Sequence, residues 1–118
     1  MKLIKTESGY VQVAYTLESI NRLQIDYLAY SYLYYHCEIS LITDGLYDQI
    51  CGWLWRHKEV NTIDFQNSDY YKICKDLGSE GSAFDLKEED YPIKIKQICV
   101  RLLKQSEKEI PDKLKEFE

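Results

Sequence analysis

A mainly α-helical fold, a small domain built on an antiparallel two-helix hairpin, follows from three features of the sequence. Apolar and aromatic residues recur at three- and four-residue steps over residues 17–37, again over 46–54 and again over 95–102, as one buried face of a helix requires. Threonines suited to cap a helix stand directly ahead of the first two runs, at Thr16 and Thr43. Only two prolines occur in 118 residues, Pro92 and Pro111, and neither interrupts a run.

Taken in order, residues 2–15 alternate weakly through Leu3, Tyr10, Val11, Val13 and Tyr15 around "ESG", which suits a short N-terminal β-hairpin or an extended arm. After Thr16 a long helix is expected, with Leu23, Tyr27, Tyr30 and Tyr34 on one face and Leu28, Tyr32 and Tyr35 on an adjacent stripe. "EISLI" is a short connection, and Thr43 opens a second helix that buries Leu46, Ile50, Trp53 and Leu54 and ends near Lys58. The two helices should pack antiparallel through Leu23, Tyr27, Leu46, Ile50 and Leu54.

"EVNTIDFQ" reads as a linker or short strand. Asn67 or Ser68 should open a third helix running through Leu77, with Gly78 as its stop signal. "GSEGSAFDLKEED" is the clearest loop. Pro92 fits the first turn of a fourth helix with Ile95, Ile98, Cys99 and Leu102 on its inner face, and a short helix should restart behind Pro111. The chain is read as one domain, residues 17–59 forming the helical hairpin and residues 60–118 supplying additional helices.

The formal charge of −5 argues against a generic nucleic-acid coat. The charge is uneven: residues 1–91 carry eight Lys/Arg and fifteen Asp/Glu, whereas residues 92–118 carry seven and five. Lys94, Arg101 and Lys108 recur at seven-residue spacing with Lys104 close to the same stripe, which is either a solvated helix face or a strip for nucleic-acid phosphates. No signal-peptide pattern or bilayer-length apolar run is present, so a cytoplasmic protein without a membrane partner is expected. Cys37, Cys51, Cys74 and Cys99 form no C-x-x-C pair and read as reduced, largely buried residues, with no metal site in the spacing.

Eleven tyrosines against three phenylalanines favour partly wet clefts over a dry interior, because tyrosine joins a flat ring to a polar tip. The densest group lies in "YYHCEISLITDGLYD", residues 34–48. With a helix beginning at Thr43, Asp44, Tyr47 and Asp48 stand at i, i+3 and i+4 on one face of its first turn. The short loop brings that turn back toward Tyr34 and Tyr35. A pocket with aromatic walls and two carboxylates suits an electron-poor, cationic ring. The same residues also fit a plain helix junction, with Asp44 favouring the helix start, Asp48 solvated and the tyrosines packing two helices together.

In the register Tyr34, Tyr35, Glu38, Ile42, Asp44, Tyr47, Asp48, followed by "QICGWLWRHKE", residues 17–59 resemble the N-terminal helical (Ia) subdomain of NAD-dependent bacterial DNA ligases. The resemblance implies a subdomain that grips the nicotinamide mononucleotide (NMN) half of NAD, with Tyr34, Tyr35, Asp44, Tyr47 and Asp48 as its contacts. Ser40, Thr43 and Gly45 depart from the family's loop pattern. The family's K-x-D-G adenylation lysine and nucleotidyltransferase domain have no counterpart. "KDLG" at Lys75 to Gly78 has its aspartate misplaced, and "LGSEGS" lacks a Walker lysine.

The function expected is therefore a non-catalytic module binding NAD, NMN or an NAD-derived ligand, acting as an accessory subunit or a sequestering protein. A protein partner or second copy would complete the pocket. The alternatives are a protein-interaction module using the tyrosine-rich groove, and a DNA-associated factor working through Lys94, Arg101, Lys104 and Lys108.

Overall fold

The computed structural model describes residues 2–6, 9–13, 15–75 and 86–118. Strands β1 (Lys2–Thr6) and β2 (Gly9–Val13) pair antiparallel, with Lys2 opposite Val13 and Thr6 opposite Gly9. Among the described residues five α-helices follow: α1 (Leu17–Cys37), α2 (Asp44–Val60), α3 (Thr62–Gln66), α4 (Tyr71–Cys74) and α5 (Ile93–Gln105). Short 3-10 turns lie at Glu88–Asp90 and Asp112–Phe117. The fold is mainly α-helical, as the periodicity implies, and carries the short N-terminal hairpin.

Both long helices start where their caps stand. The Thr16 side chain accepts from the Ser19 N–H at 3.1 Å, and the Thr43 side chain accepts from the Leu46 N–H at 3.1 Å, each satisfying a first-turn donor that has no partner within the helix. Helix α1 ends at Glu38, which adopts the left-handed conformation (φ 57°) and lets the Ile39 N–H reach the Leu33 carbonyl at 2.9 Å. Helix α5 ends in a related way, with Glu107 at φ 55° and the Lys108 N–H bonded to the Leu103 carbonyl at 2.9 Å.

Two cross-helix contacts fix the direction of the hairpin. Tyr15, ahead of α1, lies 4.6 Å (ring centroids) from His57 near the end of α2, while Tyr27 within α1 stacks on Tyr47 in the first turns of α2 at 6.3 Å. The helices therefore run antiparallel. Tyr27, Ile50 and Leu54 are buried between them and Leu23 is half-buried, but Leu46 is 40% exposed. Tyr47 takes the inward direction instead, continued by Ile50, Cys51 and Leu54 at helical spacing.

Residues 59–66 are helical on both sides of a break at Asn61, neither linker nor strand. Asn61 ends α2 with its backbone N–H, which donates to the His57 carbonyl at 2.8 Å, and caps α3 with its side chain, which accepts from the Asp64 N–H at 3.2 Å. The expected helix from Asn67 or Ser68 is a single turn beginning at Tyr71; Leu77 and Gly78 lie outside the described residues. Ser68 does not act as a cap, because its hydroxyl is engaged elsewhere. The Gln24 amide, fully buried in α1, donates to Ser68 Oγ at 2.7 Å and accepts from the Tyr70 N–H at 3.1 Å, and Ser68 Oγ donates to the Phe65 carbonyl. One polar side chain thus ties α1 to the α3–α4 corner.

Helix α5 crosses α1, the Cys99 thiol lying 3.4 Å from the Ala29 carbonyl. Its buried residues are Ile95, Cys99, Val100 and Leu103; Ile98 and Leu102, expected on this face, are half-buried at its edge. The face is rotated because α5 meets α1 on one side and the terminal turn, through Leu114 and Phe117, on the other.

Candidate ligand pocket

The C-terminal half of α1, the connecting loop and the first turns of α2 enclose a cavity of about 280 Å³. All five residues singled out from the sequence, Tyr34, Tyr35, Asp44, Tyr47 and Asp48, line it. Tyr30 joins them from one turn earlier on α1, and Ser40, Leu41 and Ile42 form the loop side. Tyr30 was legible only as part of a helix face; its i−4 relation to Tyr34 is the signal that places it in the site.

Each wall has a local cause. Tyr34 and Tyr35 are successive on α1 and meet edge to face, with centroids 5.0 Å apart and planes at 90°. Tyr34 is 50% exposed, leaving much of its ring to a ligand or to solvent. Ser40 Oγ donates to the Ile42 carbonyl at 2.8 Å, which curls the loop. Asp44 and Asp48 are exposed on successive turns of α2, and among the described residues neither carboxylate meets a cation or a hydrogen-bond donor.

Tyr47 is oriented differently from what the resemblance implies. Ser31, fully buried, gives its only hydroxyl proton to the Tyr27 carbonyl at 2.5 Å, so at the 2.6 Å Ser31–Tyr47 contact the phenol must be the donor. The Tyr47 hydroxyl is held inward, and the pocket receives its ring. Burial pushes the Tyr47 phenol far above its ordinary pKa; burial and then the negative charge of Asp26 push up Tyr30. Both stay neutral at physiological pH, and neither can act there as a phenolate base. The pocket offers neutral aromatic faces and two carboxylates.

The other candidates do not converge. Lys94, Arg101, Lys104 and Lys108 are all exposed, and Lys104 lies 3.7 Å from Glu118. Lys75 is exposed with its carbonyl accepting from Lys58, and the remainder of "KDLG" lies outside the described residues. Cys51, Cys74 and Cys99 are buried and Cys37 is half-buried; burial pushes the Cys51 thiol up to about 11 and those of Cys74 and Cys99 up to about 12. Among the described residues no group of three or more His, Cys, Asp or Glu side chains could hold a metal ion, and no helix is long and apolar enough to cross a membrane.

Comparison with protein-family models, with curated proteins and with solved structures finds no match to this chain. The ligase resemblance is thereby overturned: the register from Tyr34 to Asp48 is a coincidence of residue types over a short stretch. The structure gives a physical reason why such a coincidence arises. A helix that restarts after a short loop favours a Thr cap and an acid in its first turn, and Tyr47 is the residue this hairpin packs inward. The pocket stands on its own geometry.

Proposed function

We propose that the protein is a non-catalytic binding module whose pocket takes a small organic cation, the oxidised nicotinamide ring of NMN or NAD among the candidates. The observation that carries this reading is the convergence of Tyr30, Tyr34, Tyr35 and Tyr47 with Asp44 and Asp48 around one cavity. Tyrosine faces attract cations, and carboxylates balance their charge. The volume, about 280 Å³, falls just below the roughly 300–1,000 Å³ usual for ligand pockets, which favours a mononucleoside-sized or smaller ligand over a whole dinucleotide.

Magnitudes set the affinity. Stacking of a cation on a tyrosine contributes ~0.5–2 kcal/mol. A charge-assisted hydrogen bond adds ~1.5–3 kcal/mol. Lost translational and rotational freedom costs at least ~4 kcal/mol. Binding by the isolated chain should be weak, and a second copy or a protein partner closing the open side would strengthen it. Thermal-shift and calorimetric titration with millimolar NMN, NAD, NADH, nicotinamide and AMP tests the reading. NMN and NAD should stabilise the protein through mass action, with AMP and NADH, which lack the charged ring, having little effect. AMP matching NMN, or no heat from any cation, overturns it.

A second reading draws support from the rim. Tyr34 is 50% exposed and Leu46, on the same turn of α2 as Tyr47, is 40% exposed, so the groove also suits a partner protein whose lysine or arginine enters the pocket. Failure of every small cation, together with a Tyr34-dependent complex with a basic peptide, would favour that reading.

A further inference from the structure

We infer that the pocket selects organic cations that carry no phosphate; the inference rests on the cation-binding reading above and narrows its ligand class. Among the described residues no lysine, arginine or histidine lines the cavity, whereas two aspartates do. The start of α2, where backbone N–H groups could otherwise receive a phosphate, is partly taken up and already carries an acid. Thr43 Oγ1 takes the Leu46 N–H, and the Asp44 carboxylate sits in the first turn against the positive end of the helix dipole. A phosphate arriving there would lie beside Asp44 and Asp48 with no cation among the described lining residues to offset them.

Two described lysines are engaged elsewhere. Lys113 is held by the His36 carbonyl and Glu88, and Lys96 lies over the rings of Tyr32 and Phe117 at 5.7 Å from each. Lys108 lines a neighbouring cleft that has Ser40 in common with the pocket. Glu38 and Glu109 line that cleft with it, so the cleft too is net acidic. A phosphorylated ligand such as NMN therefore keeps its attraction at the ring and loses part of it to repulsion at its tail.

Two ligand pairs isolate the phosphate: nicotinamide riboside against NMN, and choline against phosphocholine. Each pair shares its cationic group and differs in the phosphate. Calorimetry on the full chain at low ionic strength should show the phosphate-free member of each pair binding roughly tenfold more tightly, the scale of one unscreened charge contact. The gap should narrow at ~0.3 M salt, where screening acts within a few ångströms. It should also narrow in the Asp44→Asn/Asp48→Asn double variant, whose substitutions are exposed and leave the core untouched. A phosphorylated ligand binding as tightly as its partner, or more tightly, overturns the inference while leaving the cation site standing. Loss of that advantage in Lys108→Ala would then identify the cation responsible. If neither member of either pair binds, the cation-binding reading falls and takes this inference with it.

Discussion

Helix α1 carries two aromatic–acidic clusters, and they treat charge in opposite ways. On one side, Tyr32 is fully buried and donates to Glu88 at 2.9 Å; Glu88 also meets Lys113 at 3.4 Å, and His36 bonds the Leu86 carbonyl at 3.0 Å. Tyr91 closes this cluster edge to face against Tyr32, with centroids 5.1 Å apart. On the other side, Tyr34 is half exposed, and Asp44 and Asp48 find no counter-charge among the described residues. The same residue types build an internal joint in the first case and the wall of an open pocket in the second. Saturation of the polar groups is what separates the two, because a paired carboxylate has its interaction already made and an unpaired one can make it with something else.

Substitution of the two tyrosines is the strongest way to break this contrast. Tyr32→Ala should lower unfolding stability by about 3–5 kcal/mol, as loss of a large buried ring does. Tyr34→Ala, at 50% exposure, should lower it far less while weakening cation binding. Denaturant melts of both variants, with titration of the second, check the pair. Equal stability losses would mean that Tyr34 belongs to the packing after all.

A smaller effect sharpens the electrostatic side. Tyr32→Phe keeps the ring and removes the hydrogen bond to Glu88, for a loss of about 1–2 kcal/mol near neutrality. The loss should depend on pH. The Tyr32 phenol first, and Lys113 after it, hold the Glu88 carboxyl below its ordinary 4.5. A carboxyl with a depressed folded pKa contributes stability that is fully present above the unfolded value and disappears as pH falls through the folded one. The gap between wild type and Tyr32→Phe should therefore be widest near pH 7 and shrink below about 4.5. A gap independent of pH would show that the Tyr32–Glu88 bond has no special hold on the ionised acid.

On the pocket side, Asp44→Asn should change stability by only about 0.3–1 kcal/mol, the scale of an exposed first-turn acid against the helix dipole. It should nevertheless weaken binding of a cationic ligand measurably in the calorimeter. The smallest change is expected at the end of α5. Glu107 holds a left-handed conformation (φ 55°) that glycine adopts without strain, so Glu107→Gly should raise stability by roughly 0.5 kcal/mol in a denaturant melt.

The features legible in the sequence are those encoded locally. Thr16 and Thr43 each act on a neighbour three residues away, and both helix starts follow from them. The clustering of Tyr34, Tyr35, Asp44, Tyr47 and Asp48 was legible for the same reason, since a six-residue connection leaves the chain little choice about where the second helix begins. The features missed depend on distant partners. Nothing in helical periodicity announces that Gln24 is reserved for Ser68 and Tyr70, more than forty residues on, yet that bond helps turn the expected third helix into a single turn. Tyr47 shows the same limit at one atom: its position was readable, whereas the inward turn of its hydroxyl depends on Ser31 having already spent its proton on Tyr27.

The cysteines turn the fold into a clock that can be read chemically. Thiols react as thiolates, and burial both shields Cys51, Cys74 and Cys99 and keeps them protonated. Alkylation can therefore reach them only when the surrounding element opens. Cys51 sits in α2, Cys74 in α4 and Cys99 in α5 against α1, so their labelling rates sample three different openings of one molecule. Cys37, half-buried at the end of α1, should be modified first. Cys74 on its single helical turn should follow, and Cys99 at the α1–α5 crossing should wait for an opening close to global unfolding.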